Sequence, residues 1–527
     1  MTSIKSPTVP QLLARQFARA GDSPALGTIA GGELSWRSWQ EISADVDRLA
    51  HGLRRRHVRP GDRVVQVSEN RYEWIVTDLA ILSLGAVHVA LHGSLSVEQL
   101  VEQIVDSGAQ LVILSTEARA RLHAHLDPQL STLGHHANSD TDAVVQPGAE
   151  QPRPEDLASL IYTSGTTGKP HGVMLSHQNL TSNAIGVSEA VGTDADETRL
   201  CFLPLSHIYA RTCDLYSWLH CGTRLVLAES RETIVRDCQV ARPTVINGVP
   251  YFYQKIAKQL VHAESGALQA LLGGRLKRCF CGGAAMPSEA AALFARQGLP
   301  VLSGYGLTET SPVVTATALE DYQVGTVGRP LAGVEVRVTE NQEIFVRGPN
   351  VMLGYWRNAG ATARVLVDGW LQTGDVGEWA PNGHLRILGR QKEIIVLSTG
   401  KNVWPERVEQ LLAGSPLIES VCVVGEGRQC LGSLIVPNPD SLKTLIRELR
   451  LRVWSPRRAV THPRVREVFR AEIDRLLAGV SREEQVGHFA LLDRSFSIQR
   501  GEVTAKLSLR RAGIAASLDA VIDGLYR

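Results

Sequence analysis

The sequence predicts an α/β protein in two unequal parts: a large N-terminal domain of mixed and parallel sheets with covering helices, and a small α+β C-terminal domain. Three observations predict it. At 527 residues the chain exceeds one ordinary core. Strand-like apolar runs alternate with helical ones through the first half, which is the pattern of largely parallel sheets. Near residue 390 the character changes, because Gly389-Arg390-Gln391-Lys392 interrupts two extended runs at 385–388 and 394–397. The division falls at 1–389 and 390–527.

The elements follow in order. A short apolar strand is expected at 64–68 and a helix at 72–84. Gly85 then turns the chain into an extended piece at 86–91. The next helix has clear ends: Ser96 is its N-cap, Gln99 completes a capping box, and Gly108 stops it. Val97, Leu100, Val101, Ile104 and Val105 form its apolar stripe. Residues 111–114 are the following strand. Residues 134–155 are polar and Pro-containing and read as a surface loop, with His135 and His136 solvated rather than metal-bound. The Arg-rich run 447–470 has helical spacing. Glu448, Glu467 and Glu472 interleave it, so an ordinary solvated face is expected.

Composition excludes several classes. Net charge is +1, so no global field favours nucleic acid. Eight scattered cysteines, with Cys279 and Cys281 reading as small core residues, suit a reducing cytoplasm. No secretion signal and no transmembrane run is expected, which makes the protein cytoplasmic.

The chemistry concentrates in residues 160–174, LIYTSGTTGKPHGVM. An apolar strand leads into Thr163, Ser164, Gly165, Thr166, Thr167 and Gly168, then a helical stretch. Glycines let the backbone turn its N–H groups toward phosphate oxygens, and the hydroxyls add donors. Six small residues in a row favour phosphate binding over a polar hairpin turn. The Walker pattern is absent, because Pro170 follows Lys169, so a P-loop kinase or ATPase is set aside.

This run resembles the phosphate loop of the adenylate-forming superfamily: acyl-CoA synthetases, luciferases and peptide-synthetase adenylation domains. Further matches follow in the family's order: CFLPLSHIYAR at 201–211, RPTVINGVPYFYQKI at 242–256, GGAA at 282–285, GYGLTET at 304–310, LQTGDVGEW at 371–379 and GRQKEIIVLSTGKNVWPERVE at 389–409. The wording is most similar to the long-chain fatty acyl-CoA synthetase branch.

The resemblance implies an acyl-CoA ligase working through acyl-AMP. Tyr305 would stack on adenine beside Gly283, Ala284 and Gly306. Thr308 would bond the α-phosphate. Glu309 would hold Mg2+. Asp375 would accept from the ribose hydroxyls with Arg390 nearby. His207 would lie near the acyl carboxylate. Lys392 marks the hinge about which the small domain swings, and Gly400, beside Ser398 and Thr399, would face the pantetheine tunnel. Val249 to Tyr253, His207 to Tyr209 and Gly304 to Gly306 would line a pocket for a bulky apolar acid.

Two departures fall in one half-reaction. The family's Pro-Lys-Gly is Pro170-His171-Gly172. Aligned on Thr504 and Arg510-Arg511, Ser508 replaces the catalytic lysine of the C-terminal loop; Lys506 lies two residues earlier, about 6.6 Å away along a strand. Lost cations slow adenylation but not thiol transfer. The expected enzyme therefore takes preformed acyl-AMP, made by a separate adenylating partner, and passes the acyl group to coenzyme A. This is similar to the non-adenylating ligases of natural-product pathways. The alternatives are a full ATP-dependent long-chain synthetase, transfer to a carrier protein, and a sensor of acyl-adenylate without turnover.

Overall fold

A computed structural model describes residues 6–126, 131–134, 151–163, 170–194, 196–260, 263–453, 455–497, 499–503 and 509–527. Two large mixed sheets dominate the first three-quarters of the chain. One has nine strands. Six of these run parallel at its centre, from Pro24–Ala30 across to Val301–Gly306. The second has seven strands, with a parallel centre built on Arg63–Val67 and Val87–Leu91. Both carry antiparallel edges, as mixed sheets commonly do.

The capped helix is Val97–Ser107. Ser96 and Gln99 form the reciprocal cap, and Gly108 takes the left-handed conformation. Arg63–Val67, Tyr72–Ser83 and Leu111–Leu114 fall within a residue of expectation.

Two expectations require correction. The segment after the Thr/Ser/Gly run is not helical at first. His171–Ser176 is a strand, and the helix begins at His177. This strand pairs antiparallel with Leu157–Thr163, with Thr163 opposite His171, so the run joins the two arms of a hairpin. The apolar residues Val173 and Leu175 are buried in that sheet, and ladder hydrogen bonds outweigh the local helical spacing. The second correction is the Arg-rich run. It is broken into the ends of three helices, Pro439–Glu448, Pro456–Val460 and Pro463–Leu476, because Pro456 and Pro463 each restart a helix at its first turn.

A third, five-stranded antiparallel sheet spans Glu335–Val338 to Leu385–Arg390. Beyond it, Ile418–Val424, Leu431–Pro437 and Val486–Leu491 form a three-stranded sheet with its own helices. Its core residues, among them Val408, Phe469, Ile473 and Ile514, cluster only with residues 395–525. The fold is mixed α/β with a large N-terminal and a smaller C-terminal domain. Cys279 and Cys281 are buried core residues, and no metal-ligating cluster occurs among the described residues.

Candidate functional site

The strand Val301–Gly306, the last of the parallel strands, carries Tyr305 near its C-terminal end, just before the short helix Thr308–Thr310. Thr310 fixes that turn: its hydroxyl accepts from the Leu307 N–H at 2.9 Å and donates to the Pro312 carbonyl at 2.7 Å. Gly306 is required here, since a Cβ would meet the Pro312 carbonyl at 1.7 Å. The Tyr305 hydroxyl donates to Asp375 Oδ2 at 2.8 Å. Asp375 lies opposite Arg390 in the third sheet, and Arg390 Nε stands 3.1 Å from Oδ1. The Asp375 backbone N–H donates to the Thr373 hydroxyl at 3.0 Å. Asp375 is only 4% exposed. Burial raises its pKa against the opposing pull of Arg390 and Tyr305. Burial, with the adjacent Asp375 charge, pushes the Tyr305 phenol well up.

The structure thus brings together Tyr305, Gly306, Asp375 and Arg390 from segments far apart in sequence. Gly283 and Ala284 are exposed on the turn after Arg278–Cys281, the parallel neighbour of the Tyr305 strand. Thr163 ends its strand, and Ser164, Gly165, Thr166, Thr167, Gly168 and Lys169 lie outside the described residues.

Thr308 and Glu309 follow Tyr305. Glu309 Oε1 accepts from the Tyr355 hydroxyl at 2.9 Å, and its backbone carbonyl accepts from Met352 N–H at 2.9 Å. The Tyr355 ring packs against His171, centroids 5.2 Å apart. Gly354–Tyr355 pairs with the strand that His171 opens, which explains the contact. The donor set at Glu309 is one carboxylate with one oxygen engaged by Tyr355. That suits a hard divalent cation completing its shell with phosphate oxygens and water, rather than an all-protein cage.

His207 caps the turn leading into the buried segment 208–221, and its ring lies 5.3 Å from that of His92. His92 was not singled out by motif. Its position just past the C-terminal end of the parallel strand Val87–Leu91 is the signal that could have found it. The backbone N–H of Ser94 donates to His92 Nδ1 at 3.1 Å. Of the expected pocket residues, Tyr253 is corrected: it is fully buried, edge-on to Phe294, and donates to the Phe280 carbonyl at 2.7 Å. The helix Pro250–Gln259 turns its apolar stripe into the core and leaves Tyr251 62% exposed.

Behind His207 sits a charged network. Arg211 donates to Ser159 Oγ and to the Tyr216 hydroxyl, both at 2.8 Å, and pairs with Asp78. Asp78 also contacts His88 Nδ1 at 2.6 Å. All of these side chains are buried. Burial holds His88 down to about 4, hence neutral.

Lys392 is exposed on the turn Gln391–Glu393. Gly400 is exposed with φ +78°, which favours glycine. Residues 504–508, with Lys506 and Ser508, lie outside the described residues; their flanks Val503 and Leu509 pair antiparallel. Arg511 binds Glu409 through two bonds at 2.8 and 2.5 Å and reaches Glu393, beside Lys392, at 3.1 Å.

Residues 13–356 match the family described as AMP-binding enzyme, and residues 392–527 match its C-terminal domain. The chain belongs to the AMP-binding enzyme family. It is 31% identical over 558 residues to a long-chain-fatty-acid–CoA ligase of Mycobacterium bovis, covering 92% of this chain and 91% of that one. It is 34% identical over 405 residues to a feruloyl-CoA synthase of Amycolatopsis, covering 74% and 80%. Its fold matches an anthranilate CoA ligase crystallised with anthranoyl-AMP at TM-score 0.82 and 18% identity, covering 98% of both chains. It is an enzyme of the AMP-forming acid–thiol ligase type.

Proposed function

We propose that this enzyme joins the acyl group of an acyl-adenylate, derived from a large apolar carboxylic acid, to the thiol of coenzyme A, and that its own adenylation step is impaired. A thiolate attacks the acyl carbonyl carbon. The C–S bond forms, the bond from that carbon to the phosphate-bridging oxygen breaks, and AMP leaves. The thiol proton passes to solvent.

The observation that carries the reading is the Tyr305–Asp375–Arg390 cluster. A buried carboxylate with a ring beside it suits a ribose and its base. Thr308 and the run Thr163 to Gly168 would take the phosphate, and Gly283 and Ala284 would lie along the adenine. His207, with His92 beside it, would face the acyl carbonyl. Lys392 would be the hinge between 1–389 and 390–527, and Gly400 would border the pantetheine arm.

The impairment rests on His171 and Ser508, which stand where the family has lysines. His171 packs on Tyr355, and its imidazole stands in place of the permanent cation of a lysine. Mg2+ at Glu309 would neutralise phosphate charge if ATP is used. A separate adenylating enzyme would then supply the adenylate. No described helix is long and apolar enough to cross a membrane, and the cysteine usage agrees with a cytoplasmic setting.

One finding favours a second reading, a complete ATP-dependent synthetase: the relative matched over 92% of the chain is named a long-chain-fatty-acid–CoA ligase. Transfer to a carrier protein is the remaining alternative. The decisive experiment supplies the purified enzyme with synthetic acyl-AMP and CoA, and separately with ATP, acid and CoA, over long-chain and polycyclic acids. Thioester from acyl-AMP with little from ATP supports the proposal. Equal rates from both would overturn the impairment.

A further inference from the structure

Arg63–Val67 and Val87–Leu91 are parallel neighbours in the seven-stranded sheet, and Leu111–Leu114 pairs with the other side of Arg63–Val67. The chain therefore steps one way and then reverses. Such a reversal opens a crevice beyond the carboxyl ends of the strands. Asn70 follows the first of these strands and His92 the second. Both reach the loop that carries His207 from the nine-stranded sheet. Asn70 accepts from the Leu205 N–H at 2.9 Å and donates to the Leu203 carbonyl at 2.7 Å. His92 packs its ring on that of His207, with the centroids 5.3 Å apart and the planes tilted by 51°.

The two contacts divide the work. The His207 backbone is set without His92. Its N–H donates to the Pro204 carbonyl at 2.9 Å, its carbonyl accepts from the Arg211 N–H at 3.1 Å, and Asn70 holds the residues before it. Backbone bonds do not fix an imidazole, whose terminal torsion is broad and roughly two-fold. The His92 ring packs against that imidazole, and it is itself anchored. The Ser94 N–H donates to His92 Nδ1 at 3.1 Å, and the Ser94 hydroxyl lies 2.7 Å from the same atom. The Leu95 N–H closes the turn on the His92 carbonyl at 3.1 Å. Arg121 donates to the carbonyls of Gly93 and Leu95 at 2.5 and 2.7 Å, which holds the turn from outside. Both rings are half-buried, so they border the crevice rather than fill the core.

We propose that His92 is a positioning residue: its ring, anchored through Nδ1 on the turn 92–95, fixes the orientation of the His207 imidazole for acyl transfer. The role rests on the reading of His207 as the group that faces the acyl carbonyl. His92 acts through His207 and not on the reacting atoms. A misdirected ring beside the carbonyl raises the barrier without weakening ground-state binding, so its signature is in kcat rather than KM. The rival role is a histidine that only holds its own turn. The two roles use different parts of the imidazole. Holding the turn needs the acceptor Nδ1, whereas positioning needs the ring.

The test is thioester formation by the full-length enzyme from CoA and whichever of dodecanoyl-AMP and naphthoyl-AMP reacts faster. His92→Ala should lower kcat about ten- to a hundredfold and leave KM for the adenylate within about threefold of wild type. Two further variants separate the roles. His92→Asn keeps an acceptor for the Ser94 N–H but has no ring, and should be as slow as His92→Ala. His92→Phe keeps a ring but has no acceptor, and should return to within about fivefold of wild type. In a His207→Ala background, His92→Ala should add less than about a twofold loss, because its partner is already gone. If His92→Ala shows no cooperative thermal transition, His92→Asn carries the same comparison with the turn intact. A slow His92→Phe beside a fast His92→Asn, or a loss that multiplies in full in the double variant, would assign His92 to its turn and overturn the inference. No thioester from the wild-type enzyme, or a His207→Ala enzyme at the wild-type rate, would instead sink the reading of acyl transfer at His207. That result takes this inference with it, and no His92 variant can produce it.

Discussion

Tyr305 and Asp375 are bonded to each other: the phenol donates to Oδ2 at 2.8 Å, while Arg390 holds Oδ1 at 3.1 Å. Each carboxylate oxygen therefore has a donor before any nucleotide arrives. A carboxylate offers about four lone-pair sites, so two ribose hydroxyls can be added without expelling Arg390. Asp375→Ala should lower AMP affinity by about ten- to a hundredfold, the worth of one or two charge-assisted hydrogen bonds. Tyr305→Phe keeps the ring and should bind AMP within about threefold of wild type, whereas Tyr305→Ala should not, since stacking is worth about 1–3 kcal/mol per base. Calorimetric titration with AMP separates these variants. A Tyr305→Phe loss as large as that of Asp375→Ala would show that the hydroxyl matters and the ring does not. Because the Asp375 pKa is raised, AMP binding should weaken on acidification at a higher pH than an ordinary aspartate would dictate.

His171 and Tyr355 give the second prediction. If missing cations limit adenylation, His171→Lys with Ser508→Lys should raise ATP–pyrophosphate exchange by at least about a hundredfold, since fixed charges at the phosphate are worth several kcal/mol. Transfer from acyl-AMP to CoA should be unchanged. Exchange that stays at background in the double variant would place the defect elsewhere.

The network behind His207 gives the third. Arg211 is fully buried, and its backbone N–H donates to the His207 carbonyl at 3.1 Å. Arg211→Met would leave Asp78 buried without its cation, beside a neutral His88 whose Nδ1 lies 2.6 Å away and a Tyr216 hydroxyl donating at 3.1 Å. Breaking such a pair costs about 3–5 kcal/mol, which should appear as a large drop in the thermal midpoint. The paired variant Arg211→Met with Asp78→Leu should recover much of it, because no charge is then left uncompensated. No recovery would show that the arginine acts through packing over Trp74, 5.6 Å away, rather than through charge.

What was legible follows from which forces are local. The ends of the helix Val97–Ser107 were readable to the residue, because Ser96, Gln99 and Gly108 write them into the chain, but its stripe was not: Val105, expected on the apolar face, is 70% exposed. The Tyr305–Asp375–Arg390 cluster was legible only through motif resemblance. Tyr305, Asp375 and Arg390 meet because a β-pair sets Asp375 against Arg390 and the C-terminal end of a strand in another sheet carries Tyr305 to them, and spacing encodes neither. The strand at His171–Ser176 was missed because its ladder partner lies across a hairpin, and the local pattern favoured a helix. His92 escaped because a histidine after a strand carries no signal until His207 is folded against it.

The last prediction concerns Glu502, which anchors the flank of residues 504–508. Its carboxylate accepts from Arg494 at 2.7 and 2.9 Å, from Arg500 at 3.2 Å and from the Ser517 hydroxyl at 2.7 Å, and its backbone carbonyl accepts from Arg510 N–H at 2.8 Å. The hydrogen bond from Arg494, with the others, lowers its pKa from 4.5 to about 2 against the cost of burial. The folded value lies below the unfolded one, so the stabilisation is fully present above about pH 4.5 and is lost as the pH falls through about 2. Glu502→Gln should lower the thermal midpoint at neutral pH and flatten its fall between those two values, as read by calorimetry across an acid series. It should also expose the 503–509 segment to proteolysis, since the amide cannot hold both arginines. A variant that keeps the full acid dependence would assign that dependence to other carboxylates, with Asp321, also lowered to about 2 by Arg329 and His384, the next to replace.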